Sequence, residues 1–178
     1  MAKSWNRVNA IRLRMETESI LGLLPASTRN ELMNKDFKVP KIPTSLRILR
    51  DGASGFQECR LFLSGASPFH HGPETVLEFL NGGSDFVPVE MEGKVSVLNL
   101  NHIVAFRDVS EHSEGVGRHI LLTLRTTRLF TVQLTEILPE SRGRIQDYLN
   151  TTDMFLEFVS ENTRLFLNKN MIVSAADQ

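Results

Sequence analysis

The sequence predicts a β-rich α+β fold: two tandem ββαβββ repeats, each a small bent sheet or barrel with one short helix, behind a helical N-terminal arm. Three observations lead there. When the chain is slid on itself by about 69 residues, the segment 76–106 falls on 145–175 without a gap. Identical pairs are Leu80/Leu149, Asn81/Asn150, Phe86/Phe155, Glu92/Glu161, Leu98/Leu167, Asn99/Asn168, Asn101/Asn170, Ile103/Ile172 and Val104/Val173. Upstream of each copy lie two strand-like runs, and residues 1–44 have a different, helix-like character. The chain therefore divides into an arm and strap at 1–44, repeat 1 at 45–110 and repeat 2 at 117–178.

In the arm, Trp5, Val8, Ile11 and Met15 recur at helical spacing. Thr28 and Glu31 have the spacing of a capping box ahead of Leu32 and Met33. "FKVPKIP" follows, with two prolines that suit an extended tether.

Repeat 1 opens with "SLRILRDG" and "GFQECRLFLS", and Asp51-Gly52 marks the hairpin between them. "PETVLEFLN" reads as a short helix, with Pro73 in its first turn, Glu74 near its positive end and Asn81 at its close. Val76, Leu77 and Leu80 share one face, which must lie against the sheet of the same repeat, since two turns are unstable alone. In "DFVPVEME", Pro88 lacks a ladder donor, which places that strand at an edge or bulge. "EGK" then turns the chain into "VLNLNHIVAF".

"SEHSEGVGR" links the repeats as a polar loop. Repeat 2 has "HILLTLRTT" and "RLFTVQLTEIL", with a weaker turn signal at Thr126-Thr127. Its helix starts near Ser141, presents Ile145, Tyr148 and Leu149, and ends at Asn150. "MFLEFVSE", the turn "ENT" and "FLNKNMIVSA" complete it. The asparagines kept in both copies suit a tight corner, where their side chains bond nearby backbone. The Ile-Val pair after them suits a strand buried on both faces. Two repeats with matching apolar surfaces can pack about a pseudo-twofold axis.

The run from the strand hairpin through "LEFLN", "DFVPV" and "VLNLNHIVAFRD" resembles a small bacterial β-rich domain family without assigned activity. The resemblance covers about residues 45–109 and, less closely, 117–176, where Glu157 and Met171 stand for Pro88 and His102. It implies a fold unit and no reaction. "KVSVLNLNHIVAFRD" is also similar to the last two strands of Sm-like barrels, whose members form rings and often bind RNA. Those proteins carry their helix before the first strand; here it follows the second.

The 178 residues are 41% hydrophobic and 23% charged, enough for a real core, and the net charge of −1 gives no global attraction to nucleic acid or acidic membranes. No apolar run approaches the roughly 20 residues of a membrane helix. A single cysteine, Cys59, excludes an intrachain disulfide; with no secretory signal pattern, a cytoplasmic, bacterial-style protein is expected. Cys59 lies in an apolar run and reads as a buried inert thiol.

Adjacent His70 and His71, with Glu74 nearby, raise metal binding, but no ligand spacing supports it and repeat 2 has no counterpart. His102 aligns with Met171, which favours packing over acid–base chemistry. No phosphate loop, dinucleotide fingerprint or nucleophile elbow is present. No cofactor, catalytic residue or metal site is expected. Lys3, Arg7, Arg12 and Arg14 precede the first acid, so Trp5, Arg7, Ile11, Arg12 and Arg14 form a candidate docking arm. The expected function is a non-catalytic protein-interaction or assembly module, with a protein partner or self-association. The alternatives are an Sm-like nucleic-acid binder and a small-ligand sensor or enzyme.

Overall fold

Alternating apolar and polar residues give the chain many strands, and the backbone of those strands joins into one sheet. The structure is a computed structural model, described at residues 40–110, 112–135, 137 and 145–178. The first half contains β1 (Lys41–Arg50), β2 (Gln57–Ser64), α1 (Val76–Leu80), β3 (Phe86–Met91), β4 (Lys94–Asn99), a 3-10 turn (Leu100–His102) and β5 (Ile103–Asp108). The second half contains β6 (Val116–Leu124), β7 (Leu129–Leu134), α2 (Ile145–Leu149), β8 (Phe155–Ser160), β9 (Thr163–Asn168), a 3-10 turn (Lys169–Met171) and β10 (Ile172–Asp177).

Among the described residues all pairings are antiparallel, in one ten-stranded sheet of order β10-β6-β7-β8-β9-β5-β1-β2-β3-β4. This corrects the expected α+β class with two small sheets: the described fold is nearly all β. The helices α1 and α2 are five residues each, too short to form a layer of their own. The two halves do not close separate sheets because β5 of the first pairs with β9 of the second. Nor is the joint a pseudo-twofold. A twofold would pair a strand with its own counterpart, whereas β5 and β9 occupy different places in their halves. The expected helical arm lies outside the described residues, apart from its last few, and Lys41 to Thr44 belong to β1, paired with Ser64 to Leu61.

Local chemistry explains the element ends. The hairpins β3–β4 and β8–β9 turn on two residues with positive φ, Glu92 and Gly93 in one and Glu161 and Asn162 in the other. That geometry matches the right-handed twist of the flanking strands. The α1 helix starts later than Pro73: Thr75 is its N-cap, and its hydroxyl accepts from the Glu78 N–H while the Glu78 carboxylate accepts from the Thr75 N–H. Pro88 is not on an edge strand. It sits in β3 between β2 and β4, but outside the short ladder with β2, which spans only Arg60–Glu90 and Leu61–Val89.

Among the described residues the core has two clusters. Leu46, Ile48, Leu61, Val76, Leu80 and Val87 lie in the first; Leu122, Leu124, Val132, Phe158 and Leu165 lie in the second. The central strands serve both. β5 supplies Ile103 and Phe106 to the first and Val104 and Ala105 to the second. β9 supplies Phe166 to the first and Leu165 and Leu167 to the second, because successive side chains point to opposite faces.

Candidate functional site

The joint between the halves and the two ends of the sheet are built from corresponding residues of the duplicated block. At the joint, Ala105, Phe106, Arg107 and Asp108 pair with Leu167, Phe166, Leu165 and Arg164. Two asparagines fasten it. Asn81, just after α1, accepts from the Met154 and Phe155 N–H groups at 3.0 and 2.9 Å and donates to the Phe155 carbonyl at 3.0 Å. Asn168 is fully buried, and its Nδ2 donates to the carbonyls of Leu100 and Ile103 at 3.2 and 3.1 Å. Its Oδ1 accepts from the Asn170 N–H at 3.0 Å, which makes the corner into β10. Phe155 packs in the first core, its ring 5.9 Å from that of Phe106.

The counterparts of these groups stand at the two ends. Among the described residues, β4 and β10 each have a single strand neighbour. Phe86 and Phe155 are identical by duplication, yet Phe155 is 0% exposed and Phe86 61%. Val104 and Val173 are identical too, at 0% and 64%. Each follows the same irregularity: the β1–β5 ladder shifts register between Ile103 and Ala105, and the β6–β10 ladder between Ile172 and Ser174. Asn150 repeats Asn81 but is exposed. Asn99 repeats the Asn168 corner by accepting from the Asn101 N–H at 2.9 Å. On β4, Val95 and Val97 also face solvent.

Beside β10 lies a groove of about 470 Å³, whose lining includes Ile145, Leu149, Asn150, Lys169, Ile172 and Ala175. By duplication these six correspond to Val76, Leu80, Asn81, Leu100, Ile103 and Phe106. That is the set around Phe155 at the joint. Where the joint has Phe106, the groove has Ala175, so the space is wider.

The other sequence-derived candidates fall elsewhere. Trp5, Arg7, Ile11, Arg12 and Arg14 lie outside the described residues. His70 Nε2 is 3.3 Å from the Glu78 carboxylate, and the Ser67 hydroxyl donates to the same carboxylate at 2.9 Å, so this loop is tied to the α1 cap. The Thr75 N–H hydrogen bond is the main cause holding the Glu78 carboxyl below its ordinary range, against the opposing effect of desolvation. Among the described residues no three His, Cys, Asp or Glu side chains converge to hold a metal ion. His102 and Met171 do not share an environment: Met171 is buried in the second core and His102 is exposed. Cys59 is buried, and desolvation pushes its thiol up to about 12. No described helix is long and apolar enough to cross a membrane.

Sequence reasoning read the paired asparagines as corners and missed the second task of Asn168 across the joint. Asn81 and Asn150 were legible as helix ends and Phe86 as a strand residue, but their place at the joint and at the free ends was not. Compared with protein-family models, with curated proteins and with solved structures, the chain matches none.

Proposed function

We propose that the protein is a non-catalytic assembly module that works through the open edges of its sheet. The observation that carries this reading is the contrast within identical pairs. Phe155 and Val104 are buried where one half meets the other, while Phe86 and Val173 hold the same positions at the free ends and are exposed. Exposed apolar side chains beside unpaired strand backbone form a template for another strand, which proteins usually blunt with charge or proline. β4 and β10 carry Val95, Val97 and Val173 there instead. The N-terminal docking residues Trp5, Arg7, Ile11, Arg12 and Arg14 fit the same module as a second contact, and a cytoplasmic setting suits a chain with one unpaired thiol.

The test is quantitative co-purification with the full chain as bait, using an untagged copy of the chain among the recorded proteins. Val97→Lys and Val173→Lys place charges on the two exposed edges without entering the core. Loss of bound proteins with either variant, while thermal unfolding stays unchanged, is the expected result. Equal recovery of the same proteins by folded variants at both edges rejects edge docking.

A further inference from the structure

The geometry points to the groove between α2 and β10 as a receptor for Phe86 of a second copy of this chain, with Asn150 clamping the Asp85–Phe86 backbone. This contact rests on the edge-assembly reading and gives it a partner, a second copy of the chain.

The chain already contains the complex. At the joint, a strand-opening phenylalanine enters the space between a helical turn and the corner of the neighbouring half. The asparagine after that helix reads its backbone through three hydrogen bonds. The free end of the second half presents the same helix end, the same asparagine and the same corner, with the groove open among the described residues. The free end of the first half presents the matching phenylalanine, exposed at the start of β3. One end of the molecule thus carries the ligand and the other the receptor.

Most of the duplicated block has diverged, including Phe106 to Ala175 and Phe166 to Val97. Asn150 and Phe86 have not, although each is exposed in the single chain. An exposed phenylalanine and an exposed helix-end asparagine are explained together if they meet across copies. Carrying the joint over also predicts a register. Ser174, Ala175, Ala176 and Asp177 of one copy take the places of Ala105, Phe106, Arg107 and Asp108. Leu98, Val97, Ser96 and Val95 of the next take those of Leu167, Phe166, Leu165 and Arg164. Smaller side chains now face each other and the Arg107–Glu161 ion pair has no counterpart, so the contact is weaker than the joint. Because unlike ends meet, the contact propagates beyond a dimer.

The experiment places the photo-crosslinking residue p-benzoylphenylalanine at position 86 of the full chain and maps the crosslinked peptides. Sedimentation of the wild type and of Asn150→Ala runs alongside. Concentration-dependent species beyond the dimer, with intermolecular crosslinks into residues 145–150 and 172–175, are expected. Asn150→Ala should weaken association about tenfold, since three hydrogen bonds are lost. Crosslinks from residue 86 to residues 1–39 of its own chain, to another region of a second copy, or to a different protein overturn the groove as its receptor. A chain that assembles and is dispersed by Val97→Lys, but crosslinks elsewhere, leaves edge docking standing and removes this contact. A chain that stays monomeric at every concentration removes self-assembly altogether.

Discussion

Asn81 holds Phe155 by both faces of one residue: its Oδ1 accepts from the Phe155 N–H at 2.9 Å and its Nδ2 donates to the Phe155 carbonyl at 3.0 Å. These residues come from different halves of the chain, so a side chain stands where a further sheet neighbour would otherwise bond. Asn81→Ala leaves three backbone groups near the joint without their partner and should cost about 2–4 kcal/mol in urea unfolding. Asn150→Ala, at the exposed counterpart, should stay within about 0.5 kcal/mol at concentrations too low for association.

The phenylalanine pair gives a sharper contrast. Phe155→Ala empties a fully buried site and should destabilise by about 3–5 kcal/mol. Phe86→Ala should change monomer stability by no more than about 0.5 kcal/mol. Equal costs in thermal or urea unfolding would mean that Phe86 is covered within the single chain.

Asn168 does two jobs, and Asn99 shows only the first. Both hold a corner, but Asn168 also reaches the Leu100 and Ile103 carbonyls from a fully buried position. Asn168→Ala should therefore cost about 2–3 kcal/mol and Asn99→Ala about 1 kcal/mol in the monomer, measured by chemical denaturation.

Glu78 sets an acid dependence. Its folded pKa lies below the ordinary 4.5, so it contributes stability that is fully present above that value. The contribution begins to fade as pH falls below the unfolded value and is gone once pH has passed through the lowered folded one. Glu78→Gln should reduce stability near neutral pH and flatten the acid limb. A pH series of thermal unfolding in which wild type and variant stay parallel would contradict the role of this carboxylate.

Cys59 should be silent in the native state. With its thiol pushed up to about 12, it is neutral at pH 8 and shielded by the first core. A disulfide exchange reagent should modify no thiol until urea unfolds the chain and exposes this one. Rapid reaction of native protein would show that the β1–β2 region opens locally.

Short-range patterns in the sequence were informative where the determining chemistry is local. The Asp51-Gly52 turn, the Glu-Gly and Glu-Asn hairpins and the asparagine corners depend on residues within a few positions, and they appear at the expected places. The capping box at Thr75 and Glu78 was not read from the sequence, where Pro73 drew the helix start too early. The edge-or-bulge assignment for Pro88 missed that β3 has a strand on each side, because sheet neighbours are set at long range, although the short β2 ladder stops before Pro88.

The duplication, the strand and turn periods and the identity of the retained residues are all legible in the chain's own residues. That the halves join unlike strand to unlike strand in one sheet, so that Phe155 and Val104 are buried and Phe86 and Val173 exposed, emerges from long-range packing. The reason is physical. Every strand offers the same backbone donors and acceptors, so local sequence does not name its neighbour. The choice at the joint goes with long-range packing that the free ends lack: Phe106 opposite Phe166, Phe155 against Phe106, and Arg107 beside Glu161. The same corner is sealed in one half and open in the other for that reason.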